Sequence, residues 1–237
     1  MVKERNTKQV NDGQMSMGMM TTQNAAPAAV QQVEPEGMWF PRAKLLQGLS
    51  PEVNNGDGRP GMWHIEGHGA VPSVVLVPLG EKMSRRLTEG EGEDLLSLCF
   101  SDDGMEGKGD PGGYCPSCLM AEWKVNDETG KRQPPPCVLT RSWFGYAPAI
   151  GLPVRVDFKR TSEKAAQQIR TFVRLNGAGR VGVELGSEQR VGGGGFKFYI
   201  PTVKKVAVPD EELATARQLL SAPAPATEPV DDGNTPF

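Results

Sequence analysis

All four cysteines of the chain fall within residues 99–137, in the pattern Cys99-x15-Cys115-x2-Cys118-x18-Cys137. The stretch "CFSDDGMEGKGDPGGYCPSC" is so rich in glycine that apolar contacts alone would not order it. Four thiolates satisfy the tetrahedral preference of zinc, and a C-x-x-C turn presents two of them to one side of the ion. A metal would supply the missing folding energy. Two disulfides, or buried reduced thiols, are the alternative. The N-terminal "MVKERNTKQVNDGQMSMGMM" has no hydrophobic signal region, so the expected location is cytoplasmic and reducing, which favours metal. Cys115 and Cys118 sit in a Gly/Pro loop and not at a strand-to-helix junction, which argues against a redox pair. A shell of Cys99, Cys115, Cys118 and Cys137 leaves no open coordination position. The expected Zn2+ is therefore structural.

Around this segment the 237 residues divide by composition. Residues 1–36 are rich in Met, Gln, Asn, Thr and Ala and read as a disordered arm. Order is expected from about residue 37 to 208, with residues 99–137 as an insertion. "PRAKLLQGLSPEV" reads as extended chain and a helical turn, and "NNGDGRPG" as a turn cluster. "SVVLVPL", "LLSLCF", "VLTRSWFGY", "PVRVDFKR" and "FKFYIPTVKKV" read as strands. "TSEKAAQQIRTFVRLNG" reads as a helix, with Thr161 or Ser162 at its N-cap and Asn-Gly at its end. Ala166, Ile169, Phe172 and Val173 form its apolar face. "PDEELATARQLL" opens on proline and acids and predicts a short helix over 209–220. Residues 221–237 read as a disordered Pro/Ala linker with an acidic tip. No internal repeat is present, and no apolar run approaches a membrane span. Short strands around one helix predict a mainly β fold with minor α: an OB-like β-barrel with a zinc-binding loop insertion.

The net charge of −3 hides an asymmetry. Residues 139–208 carry 12 Lys/Arg against 4 Asp/Glu, a balance of +8; residues 209–237 carry 1 against 6, a balance of −5. A basic body suggests a polyanion-binding surface, and an acidic tail suggests a competitor for it or a lure for a partner. In "PVRVDFKR" a period of two turns Val154, Val156 and Phe158 inward and Arg155, Asp157 and Lys159 outward. Arg160 follows. In "FKFYIP" Lys197 and Tyr199 share a face opposite Phe196, Phe198 and Ile200. "RSWFGY" adds Arg141, Trp143 and Tyr146. Cations that track phosphates and aromatics that stack on bases are what a single-stranded nucleic-acid platform needs. The plainer reading is a solvated polar face with its aromatics turned into the core.

Other motifs carry little. "HIEGH" holds His64 and His68 but places Glu66 wrongly for a zinc protease. "GAGRVG" matches a dinucleotide fingerprint but follows a helix and lacks a βαβ setting. "GMEGKGD" lacks the phosphate-loop spacing, and Asp102, Asp103, Glu106 and Asp110 read as a solvated acidic turn. Nothing forms a catalytic triad, so no enzyme is expected.

"PRAKLLQGLSPEV", the cysteine block, "EW", "PPPC" and "PVRVDFKRTSEKAA" resemble a group of bacteriophage proteins described as single-stranded DNA-binding proteins. That resemblance spans roughly residues 41–206. "DDGNTPF" resembles the C-terminal tip of bacterial single-stranded DNA-binding proteins, where a terminal Phe docks on replication and repair enzymes. Asp231, Asp232, Pro236 and Phe237 match that tip, though Gly-Asn-Thr is inserted and the acids are fewer. The resemblance implies a protein that coats single-stranded DNA in replication, recombination or repair in a bacterial host, and recruits partner proteins through the tip. It leaves a homo-oligomer open and implies no membrane. The competing expectation is a zinc-stapled adaptor that binds RNA polymerase or another replication or transcription protein.

Overall fold

Alternating burial along one short strand shows how the sheet is built. In Leu152–Lys159 the side chains of Val154, Val156 and Phe158 are buried, and those of Arg155, Asp157 and Lys159 turn to the other face. This is the inward set read from the sequence. The computed structural model describes residues 40–90 and 95–221. The expected N-terminal arm, and the tip residues Asp231, Asp232, Pro236 and Phe237, lie outside the described residues.

Among the described residues thirteen strands and three α-helices follow in chain order: β1 (Arg42–Leu45), α1 (Pro51–Asn54), β2 (Trp63–Ile65), β3 (Gly69–Val71), β4 (Val74–Glu89), β5 (Leu96–Ser101), β6 (Glu106–Gly109), β7 (Gly113–Tyr114), β8 (Lys124–Val125), β9 (Arg132–Gln133), β10 (Val138–Ala147), β11 (Leu152–Lys159), α2 (Glu163–Asn176), β12 (Gly182–Val191), β13 (Lys197–Val206) and α3 (Asp210–Ser221). Eleven strands form one mixed sheet, ordered β3-β2-β1-β11-β10-β4-β5-β6-β7, with β12 joined to both β4 and β13. β8 and β9 pair separately. Among the described strands the one parallel pairing sets Arg42 against Arg155. No helix among the described residues is long and apolar enough to cross a membrane.

β4 organises the sheet because it is sixteen residues long and has three partners. Its start pairs with β12, its middle with β10 and its end with β5. Bulges at Phe144/Gly145 and Leu87/Thr88 let the strand turn between them. The sheet therefore curls, but its backbone ladder does not close into a barrel: β13 pairs with β12 alone. Side chains bridge the remaining gap. The Gln47 amide donates to Tyr199 C=O and accepts from Tyr199 N–H, both at 2.9 Å, as a strand residue would. Trp63 Nε1 donates to Gly186 C=O, and Ser187 Oγ to Gly61 C=O.

The curl encloses the main core, with Trp63, Leu76, Trp143, Val156, Phe158 and Leu185 among its fully buried side chains. α2 closes one side, burying Ala165, Ala166, Ile169 and Val173, while Phe172 is half-buried. Ser162 stands at its N-cap as expected, but its hydroxyl serves the preceding turn: Ser162 Oγ accepts from Lys159 N–H and donates to Lys159 C=O. Gly177, at φ +92°, ends the helix as the Asn-Gly pair predicted. A second, smaller core lies outside the sheet, where α3 brings Ala216 against Val77, Leu79 and Tyr146.

Candidate nucleic-acid interface and cysteine cluster

The outer face of β1, β11, β10 and β4 is polar because strand alternation sends every second residue there. Two adjoining grooves of ≈ 370 Å³ and ≈ 340 Å³ cross it. They share Arg42, Asp157 and Lys159, so they form one continuous trough. Seven cations line it (Arg42, Lys44, Lys82, Arg85, Arg86, Arg155 and Lys159), against the acids Asp102 and Asp157.

Asp157 sits at the centre. Its carboxylate lies 3.2 Å from Arg42 Nε and 3.3 Å from Arg155 Nε, and accepts a 2.7 Å hydrogen bond from Ser142 Oγ. Both Nε atoms stand at ion-pair distance but without hydrogen-bond alignment, and both are buried with no hydrogen-bond partner. The carboxylate thus gathers two guanidiniums without satisfying them. Lys44 is held apart by Glu52, at 3.1 Å from both of its oxygens.

Of the residues expected to bind nucleic acid, Arg155, Lys159 and Tyr199 meet in this trough. Arg160 and Lys197 are exposed beyond its lining. Arg160 is the one described non-glycine residue with positive φ, +49°. The other three are placed elsewhere. Trp143 is 0% exposed and faces the core, so no base can stack on it. Tyr146 lies beneath α3, where its hydroxyl donates to Glu212 Oε2 at 2.7 Å. Arg141 points inward to a buried network. It pairs with Glu81 at 3.3 Å and Glu163 at 3.2 Å, while Arg170 pairs with Glu81 at 2.7 Å. A buried carboxylate such as Glu81 requires such partners, so Arg141 is committed to the fold.

Exposed aromatics lie at other positions. Phe100 borders the trough, with Lys108 Nζ 5.7 Å above its ring. Tyr114 and Trp123 project from the cysteine insertion, and Arg132 lies 5.4 Å over the Trp123 ring. Phe196 projects from the glycine-rich β12–β13 turn. The signal for the missed cations was the period of two in "EKMSRR", which sends Lys82, Ser84 and Arg86 to one face.

The insertion leaves the sheet through β5 and returns into β10. Its four cysteines are free thiols, three of them buried and Cys118 half-buried. All four border one cavity of ≈ 10 Å³, room for a single water-sized occupant. A Cβ placed on Gly107 would stand 2.9 Å from Cys99 Sγ, too close without a shift, and 3.5 Å from Cys115 Sγ, an ordinary contact, so glycine here leaves room for the Cys99 sulfur. Burial pushes the Cys137 thiol up, the adjacent Arg85 guanidinium opposes this, and Cys115 and Cys118 add to it. Among the described residues no group of three or more His, Cys, Asp or Glu stands at metal-ligating spacing. In the β5–β6 turn Asp103 accepts from Met105 N–H, Glu106 N–H and Ser101 Oγ at 2.7, 3.2 and 2.9 Å. Those backbone donors, led by Met105, hold its carboxyl below the usual range.

Comparison with protein-family models, with curated proteins and with solved structures returned no match.

Proposed function

We propose that this chain binds single-stranded DNA non-specifically in the trough across β1, β11, β10 and β4. The observation that carries the reading is the set of seven cations lining one trough in a chain whose net charge is −3. Phosphates would lie along Arg42, Arg155 and Lys159, and bases would stack on Phe100 and Tyr199. The topology supports an OB-type assignment. A long bent strand, β4, pairs with both β10 and β12, and a helix separates β11 from β12. In that fold the loops after the first strand and before the last flank the ligand. Here they are the cysteine insertion with Phe100, Tyr114 and Trp123, and the β12–β13 turn with Phe196.

In this reading Cys99, Cys115, Cys118 and Cys137 hold one structural zinc that staples the insertion. Their shared cavity and the glycine at position 107 support it, with thiol side chains adjusting to bring the sulfurs to ligand distance. Metal analysis of protein purified without chelator would then find about one zinc per chain. Zero metal with intact thiols would refute it. The acidic tip would recruit replication or recombination proteins.

Fluorescence titration with oligo-dT at several salt concentrations tests the binding reading. Expected is tight binding at low salt that weakens steeply as salt rises. No binding at low salt, or preference for duplex, would overturn it. Exposed Leu119, Trp123 and Val125 on the insertion favour a second reading, a protein-docking adaptor. Unchanged nucleic-acid binding after neutralising Arg155, Lys159 and Lys197 would favour the adaptor.

A further inference from the structure

The trough and the cysteine cavity share a wall. Arg85, Phe100 and Ser101 line both. The sharing follows from register: Arg85 lies opposite Ser101 and Arg86 opposite Phe100, with Cys99 next along β5. Strand alternation turns Cys99 into the cavity and Phe100 away from it. Arg85 and Cys137 line the same small cavity, and the Arg85 Nε is buried there without a hydrogen-bond partner. A guanidinium carries five N–H donors in a planar fork. One edge can therefore serve the sulfur while another serves a phosphate oxygen.

We propose that Arg85 is a nucleic-acid-binding residue positioned by Cys137, so that the state of the cysteine cluster sets the grip of the trough on a phosphodiester backbone. This inference rests on the nucleic-acid reading of the trough and adds its regulation to it. With the Cys137 sulfur in place, the Arg85 guanidinium is held at the floor of the trough. With it lost, Arg85 keeps its charge but not its position. Linkage makes the effect reciprocal: a bound strand that engages Arg85 must also alter the environment of Cys137.

The test is oligo-dT titration of the full chain over a range of salt concentrations, for wild type, Arg85→Gln, Cys137→Ala and the double variant. Each phosphate contact contributes about 0.7 to the slope of log K against log salt for a single strand. Arg85→Gln is expected to lower the slope by about that amount, with a several-fold loss of affinity. Cys137→Ala removes no cation from the trough lining, yet is expected to lower the slope by about the same amount. The double variant is expected to fall no further than either single one. An unchanged slope in Cys137→Ala, or additive losses in the double variant, overturns the proposal. Arg155→Gln/Lys159→Gln is the separate control. If it leaves binding unchanged, the trough reading itself fails; if it weakens binding while Arg85→Gln does not, only the Arg85 link fails. Thermal unfolding of each variant checks the fold. Should Cys137→Ala not fold, iodoacetamide labelling followed by peptide mass mapping takes its place. Oligo-dT is expected to slow labelling of Cys137 in wild type more than in Arg85→Gln, and equal protection overturns the link.

Discussion

Trp143 and Phe100 show how one residue type can serve two ends. Trp143 lies on the core side of β10 with no exposed surface, whereas Phe100 lies on the outer side of β5 at the edge of the trough. Trp143→Ala should cost about 3–5 kcal/mol in urea unfolding, with oligo-dT affinity of the folded protein unchanged. Trp143→Phe should cost less, since it keeps most of the ring and removes an indole N–H that has no partner. Phe100→Ala should do the opposite: little change in stability, and a loss of about 1–3 kcal/mol in oligo-dT binding if a base stacks there. Asp157 gives a sharper test. It opposes phosphate while gathering Arg42 and Arg155. Asp157→Asn should lower stability yet strengthen oligo-dT binding at low salt, because bound phosphates replace the lost carboxylate. Weaker binding in that titration would mean that Asp157 matters more as a positioner than as a competitor. Strand parity made Val154, Val156 and Phe158 legible in the sequence. It could not tell whether Trp143 faced in or out, because "RSWFGY" is apolar or aromatic at successive positions and both faces of β10 are covered there, Trp143 by the main core and Tyr146 by the smaller one.

At the scale of elements, regular strands and both longer helices were readable, and the joints between them were not. β10, β11, β13, α2 and α3 fall where pattern and capping residues predicted. β4 runs ten residues beyond "SVVLVPL" because its far half is amphipathic, not apolar. β12 escaped notice behind "GAGRVG", since "GVELGSEQRV" alternates only at its start. In the seam between β1 and β13 one side chain, Gln47, makes both hydrogen bonds to the Tyr199 backbone, and no local pattern announces a glutamine that pairs 152 residues away. Gln47→Ala should cost about 1–3 kcal/mol, since it strips both bonds from the Tyr199 backbone. Hydrogen exchange at the Tyr199 amide should accelerate well before global unfolding; unchanged protection would mean the seam is held by packing. The latch between α3 and β10 has its own pH signature. The hydrogen bond to Glu212 raises the Tyr146 hydroxyl above its usual pKa of 10.0, with burial adding to it. A raised acid contributes stability that is fully present below the unfolded pKa and is lost as pH climbs through the folded one. Release of α3, followed by tyrosine absorbance and helical circular dichroism, should therefore begin above pH 10. Tyr146→Phe should lose the latch at all pH values and flatten that transition.

For the whole molecule the governing fact is charge segregation. A chain of net −3 carries a trough lined by seven cations, so the compensating acids must lie elsewhere. Some are spent internally: Glu81 and Glu163 hold Arg141 and Arg170, and Glu52 holds Lys44. Others follow β13, where residues 209–237 carry a balance of −5. The portion beyond Ser221 contributes Glu228, Asp231 and Asp232 and no cation. In the nucleic-acid reading, acids of that charge would oppose an incoming phosphodiester strand. Ending the chain at Ser221 should therefore raise oligo-dT affinity at low salt. The gain should shrink as salt rises, because a Debye length of about 10 Å at 0.1 M falls to about 3 Å at 1 M. In the proposed reading partner capture by the tip should vanish in the same variant, while the unfolding midpoint stays put, because α3 and the small core under it are retained. Weaker binding of oligo-dT by the shortened chain would show that these acids support the trough and do not compete for it. A gain that persists unchanged at 1 M salt would show that the segment acts by occupying space rather than by charge.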